Sequence, residues 1–189
     1  MADDLNGLNR LLHIYDAESY SIRATAWARR NASIVAPLMV YPVPVEGGRW
    51  GLRTALDKLV KEGLTFQRCL VETHGNVGAI FFDDERVDES NLVQLYGNRG
   101  YENIFSHVMA NKIYFNGCYI ADDGGGWQFL DTVGRVFLRR AGGVVMAQTG
   151  AGRHLLGWTT LTGHIIHFGA DTCYSTILPG GMAAGHTTD

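Results

Sequence analysis

Two segments of the chain place a reactive side chain beside a glycine at the end of an apolar run. Arg68-Cys69-Leu70-Val71-Glu72-Thr73 stops at His74-Gly75, and Lys112-Ile113-Tyr114-Phe115-Asn116 stops at Gly117-Cys118. A thiol attacks carbonyl carbon only as the thiolate, and a neighbouring imidazole can take its proton and later return it to a leaving amine. Cys118 is therefore the candidate nucleophile and His74 the candidate general base and acid. Gly75 carries no side chain to cover its N–H, which with the N–H of Cys118 makes a candidate oxyanion hole. This chemistry requires no metal and no cofactor, and none is expected. No residue is marked as a substrate pocket.

Such chemistry needs two elements that end at one place. Apolar runs of strand type alternate here with helical periodicity, which predicts an α/β fold: a three-layer sandwich with a mostly parallel sheet between helices. In such sheets reactive groups collect beyond the carboxyl ends of the strands, so 68–73 and 112–116 are expected as neighbouring parallel strands. Apolar residues at 52, 55, 56, 59 and 60 predict a helix closed by Gly63, and those at 127, 130, 133, 137 and 138 predict another ahead of a strand over 144–147. A short run at 79–82 reads as a hairpin arm, and a weaker helical segment spans 101–109. Residues 33–41 read as a strand that Pro37 confines to an edge or splits. Leu5, Leu8, Leu12 and Tyr15 are spaced three and four apart and are followed by Ile22 and Ala26, which predicts one or two amphipathic helices. The expected organisation is an N-terminal helical arm (1–31), an α/β domain (32–178) and a flexible tail (179–189) rich in glycine and small polar residues.

The order of these motifs, strand then His74-Gly75 and further along strand then Gly117-Cys118, resembles the caspase-like cysteine peptidases, the clan of caspases, gingipains, clostripain and separase. It is most similar to a bacterial branch of that fold, found as domains of unknown function in large surface proteins. That branch shows a strand, His-Gly, a small hairpin, and then Gly-Cys before an Ala- and Gly-rich helix start. The counterparts are His74-Gly75-Asn76-Val77-Gly78, Gly117-Cys118 and Ala121-Asp122-Asp123-Gly124. The resemblance implies a caspase-like fold and a peptidase acting on a protein or peptide through a thioacyl intermediate. It casts His74 and Cys118 as the dyad, and the N–H groups of Gly75 and Cys118 as the oxyanion hole. Asn116-Gly117-Cys118-Tyr119 lacks the Gln-Ala-Cys-Arg-Gly of true caspases, so aspartate specificity is not implied. The alternative is a catalytically silent module of this fold that binds a partner protein. An acyl transferase with cysteine at an elbow would need Gly-x-Cys-x-Gly, which residues 116–120 do not supply.

Composition narrows the field further. With 189 residues, 46% hydrophobic and 19% charged, the chain has the size and balance of one globular domain. A net charge of -3 without a basic run gives no footprint for nucleic acid or anionic lipid, and neither is an expected partner. No apolar stretch is long enough to span a bilayer and no basic-then-apolar leader opens the chain, so a cytoplasmic location is expected. Three cysteines at unrelated spacings argue against a disulfide framework, and Cys69, inside a strand, reads as a core thiol. His164 and His167 would fall on opposite faces of a strand, which argues against a shared metal. Asp83-Asp84 and Asp122-Asp123 read as solvated loop acids rather than calcium ligands. Gly150-Ala151-Gly152-Arg153 has Leu155 where a dinucleotide loop needs glycine, and Gly124-Gly125-Gly126 lacks the Lys-Ser/Thr of a P-loop.

Overall fold

A computed structural model describes residues 10–32, 39–107, 111–150 and 171–188. Its centre is a seven-stranded sheet made by β1 (Arg10–Asp16), β2 (Met39–Val45), β3 (Arg68–Glu72), β7 (Lys112–Asn116), β8 (Gly143–Gln148), β9 (Thr172–Ile177) and β10 (Ala183–Thr188). The spatial order is β10-β9-β8-β7-β3-β1-β2. The first five strands in chain order are parallel; β9 is antiparallel to β8, and β10 to β9. Between β3 and β7 the chain makes a small antiparallel sheet of β4 (His74–Asn76), β5 (Ala79–Phe82) and β6 (Glu85–Asp88). Three long helices flank the central sheet: α1 (Tyr20–Ala32), α2 (Gly48–Glu62) and α3 (Asp123–Phe137). No described helix is long and apolar enough to cross a membrane.

Strand alternation assigns the two faces. Leu12 and Ile14 of β1, Cys69 and Val71 of β3, Ile113 and Phe115 of β7, and Val145 and Ala147 of β8 bury into one cluster with Leu52, Leu56 and Leu59 of α2 and Phe129, Leu130 and Val133 of α3. The opposite face carries Leu11, Leu70, Tyr114 and Met146. The connection from β1 to β2 runs in the reverse direction to those from β2 to β3 and from β7 to β8. Right-handed crossovers therefore put α1 on the second face and α2 and α3 on the first. Gly63 closes α2 in the left-handed conformation (φ 65°), its N–H turned back to the carbonyls of Leu59 and Val60, as its place in the sequence predicts.

Residues 10–16, expected as part of a helical arm, form β1, an interior strand of the sheet between β3 and the end strand β2. Within β1 the helical spacing of Leu12 and Tyr15 arises because an interior parallel strand is buried on both faces. Its apolar residues then run almost continuously, and helical spacings occur by coincidence. Helix α1 is real but starts at Tyr20, so the domain begins before residue 32. The strand expected over 33–41 is Met39–Val45; residues 33–38, Pro37 among them, lie outside the described residues. It is an edge strand all the same, and other prolines suit it to that place. The N–H of Ala17 donates to the carbonyl of Val45, so residues 41, 43 and 45 face β1, while Pro42 and Pro44, which lack N–H groups, face the open edge. Of the helical segment expected over 101–109, the described part holds a single 3₁₀ turn, Tyr101–Ile104, and residues 108 and 109 lie outside the described residues. At the other end, Ala183–Thr188, expected as a flexible tail, is strand β10, held by backbone pairing to β9 despite its small and polar residues.

Candidate active site

The parallel strands β3 and β7 are direct neighbours with Glu72 opposite Asn116, so the chain leaves both strands at the same level of the sheet. His74 stands two residues beyond Glu72, and Cys118 two beyond Asn116. The expected adjacency of the two strands is present, and it brings the two loops together backbone against backbone. A Cβ added to Gly75 would lie 2.7 Å from the carbonyl oxygen of Cys118 and 2.4 Å from Ile120 Cγ1. One added to Gly117 would lie 2.9 Å from the Thr73 carbonyl oxygen and 3.3 Å from the Gly75 nitrogen. Glycine at both positions is what lets the histidine loop and the cysteine loop touch. Ile120, fully buried, packs between them and ties both to the core beneath.

Other backbone bonds hold the cysteine loop. Tyr119 donates to the Gly150 carbonyl (2.9 Å) and Ala121 to that of Gln148 (3.0 Å), fixing the loop to the end of β8. Gly78, in the β4–β5 turn, donates to the Ile120 carbonyl (3.0 Å). Tyr119 takes φ 56°, a left-handed conformation that costs a non-glycine residue on the order of 1 kcal/mol and that the surrounding bonds enforce. Cys118 is thus half-buried and His74 exposed, on two loops whose backbones touch at the sheet end. In the β4–β5 hairpin, Asn76 opposite Ala79 closes a two-residue loop and exchanges its bonds with β5. Alternation then turns the N–H of Gly75 away from β5, toward the Gly117–Cys118 side.

A third side chain joins the histidine. The Oγ of Ser19 lies 3.2 Å from Nε2 of His74. Ser19 follows β1 and accepts, through its carbonyl, the N–H of Arg23 at the start of α1. Because β1 leads outward to β2 whereas β3 returns on its other side, the contact spans the point where the strand order reverses, the crevice in which open α/β sheets bind ligands. Sequence reasoning missed Ser19 because β1 was read as helix. Its signal was a serine just past the carboxyl end of a strand.

The remaining candidates fall elsewhere. Cys69 is buried in the first-face core, where loss of solvation pushes its thiol far above the ordinary range. Burial, and secondly Asp131, push Cys173 up as well. Asp83 and Asp84 both have positive φ (48° and 58°) and form the two-residue turn between β5 and β6, which explains them without a cation. Asp123 Oδ1 accepts the N–H of Gly125 at 2.8 Å in the first turn of α3. Among the described residues no group of three or more His, Cys, Asp or Glu side chains is placed to hold a metal ion. His164, His167 and residues 151–153 lie outside the described residues. No family model and no curated protein sequence matches the chain.

Proposed function

We propose that the chain is a cysteine hydrolase, a caspase-like peptidase in which Cys118 is the nucleophile and His74 the proton shuttle. The observation that carries this reading is the meeting of the His74 and Cys118 loops at the carboxyl ends of β3 and β7, with glycine at 75 and 117 permitting the contact. The sequence of strand, His-Gly, hairpin, strand, Gly-Cys and helix, on a mostly parallel sheet, supports the resemblance to the caspase-like clan.

In this reading His74 takes the Cys118 proton as Sγ bonds to the substrate carbonyl carbon. The carbonyl electron pair moves to oxygen, where the N–H groups of Gly75 and Cys118 receive it. Collapse of the tetrahedral species breaks the C–N bond, and the imidazolium protonates the departing amine. Water then attacks the thioacyl carbon, giving its proton to His74. Cleavage of the C–S bond returns the thiol and frees the carboxylic acid. In this reading Ser19 at Nε2 leaves Nδ1 as the nitrogen to exchange the proton with the thiol, and Ser19 acts as a positioning residue.

The test is turnover of a broad fluorogenic peptide library by the full chain. Cys118→Ala and His74→Ala are each expected to lower hydrolysis by at least about a thousandfold with an unchanged circular dichroism spectrum. Full activity in Cys118→Ala would overturn the reading. Wild type inert against every peptide would favour the silent interaction module.

A further inference from the structure

Beneath the two loops, on the second face of the sheet, lies a buried polar cluster where Leu70 and Tyr114 show that apolar side chains also fit. Glu72 of β3 is 1% exposed, His13 of β1 0% and Asn116 of β7 6%. Oε2 of Glu72 lies 2.7 Å from Nε2 of His13, and Nδ2 of Asn116 donates to Oε1 of Glu72 at 3.0 Å. The second ring nitrogen of His13, Nδ1, is buried with no hydrogen-bond partner among the described residues. A buried carboxylate with two converging donors, and a buried nitrogen without a partner, is a costly way to fill space that leucine or valine could fill.

Position explains what packing does not. Glu72 and Asn116 are opposite one another in register, each two residues before a member of the proposed dyad. At this same level the backbone ladder is giving out: the N–H of Thr73 reaches the Asn116 carbonyl at 3.5 Å. The Glu72–Asn116 bond thus joins β3 to β7 at the rung from which the two loops depart, and His13 anchors the carboxylate to β1, the strand that leads to Ser19. We propose that Glu72, gripped by His13 and Asn116, is a positioning residue: a three-strand clamp that sets the spacing of His74 against Cys118. The inference rests on the dyad proposed above and touches no reacting atom itself.

The test needs no known substrate. Alkylation of Cys118 by iodoacetamide at about pH 6.5, where an ordinary thiol is only a few per cent ionised, is followed by peptide mass spectrometry on the full chain, with the thermal midpoint measured alongside. His74→Ala calibrates the assay; if it leaves Cys118 reactivity unchanged, the dyad reading fails whatever the Glu72 variants do. With that control in hand, Glu72→Ala and Asn116→Ala are expected to slow alkylation about five- to tenfold, the range of one lost buried hydrogen bond. Glu72→Gln can still accept from Asn116 and, with the other tautomer of His13, donate to Nε2, so it is expected to stay within about twofold of wild type. Folded Asn116→Ala or Glu72→Ala protein reacting as fast as wild type would overturn the clamp, and so would Glu72→Gln as slow as Glu72→Ala at equal thermal stability. Asn116→Ala decides the matter should Glu72→Ala not fold.

Discussion

Gly75 shows how little room the site leaves at the scale of single residues. A methyl group there meets both the Cys118 carbonyl and Ile120, so Gly75→Ala must push the two loops apart. Overpacking of this kind costs roughly 1–3 kcal/mol. Because the displaced atoms include the backbone of the nucleophile, the expected result is a loss of turnover of at least about tenfold alongside a modest fall in thermal midpoint. Turnover equal to wild type would show that the loops do not need their present spacing. Ser19→Ala removes one hydrogen bond to the imidazole, and its effect on kcat is expected to be about two- to tenfold with KM unchanged. Cys69 behaves in the opposite way. It lines an apolar cavity of about 40 Å³ between the sheet and the helices α2 and α3, so Cys69→Ala enlarges a void and is expected to lower stability by about 1–2 kcal/mol without affecting hydrolysis. Its thiol, raised by burial, is expected to alkylate only after unfolding, while Cys118 labels in the native protein.

Among the elements, the long excursion from β3 to β7 decides whether the two halves of the site meet, and α2 braces it. Asp57 on α2 accepts the hydroxyl of Tyr101 at 2.7 Å and the guanidinium of Arg99 at 3.1 Å, pinning the 3₁₀ turn that precedes β7. Burial alone would raise the Asp57 carboxyl, but the bonds from Tyr101 and Arg99 outweigh it and hold the group below the usual carboxylate range. A depressed pKa in the folded state contributes stability that is present above the unfolded value of about 3.9 and is lost as pH falls through the folded one. Asp57→Asn is therefore expected to be less stable than wild type at neutral pH by under about 1 kcal/mol, since the ion pair is partly exposed, with the difference closing in strong acid. Urea titrations of the two proteins across that range measure it. A gap that widens on acidification would contradict the sign.

Over the whole sheet the two end strands, as they stand among the described residues, are treated differently. β10 ends one side with a register shift between Ala183 and Gly185 and mostly exposed small and polar residues, while β2 ends the other with Pro42 and Pro44 turned outward. The prolines remove two donors that a second strand would need. Pro42→Val/Pro44→Val restores them in an otherwise unchanged strand, and the expected outcome is concentration-dependent association beyond that of wild type, read by light scattering or sedimentation. Identical sedimentation of the two proteins would mean the prolines do not protect that edge.

The sequence by itself determined the features that are local. The period of α2, its glycine cap, the strand ends at His74 and Cys118 and the parallel alternation all follow from nearest neighbours along the chain, because periodicity and turn chemistry act over a few residues. Cys69 as a core thiol was legible for the same reason. Tertiary structure alone decided what depends on a strand's place in the sheet. Residues 10–16 are a strand because β2 and β3 flank them on either side, and the small and polar residues 183–188 are a strand because β9 offers them a ladder. The same holds for the site's support. Ser19 and His74, His13 and Glu72, and Glu72 and Asn116 are pairs far apart in the chain that meet only because the order β7-β3-β1 sets their strands side by side. Hydrogen bonds between such residues leave no period to read, since their spacing in sequence is set by the lengths of the connections and not by the contacts themselves.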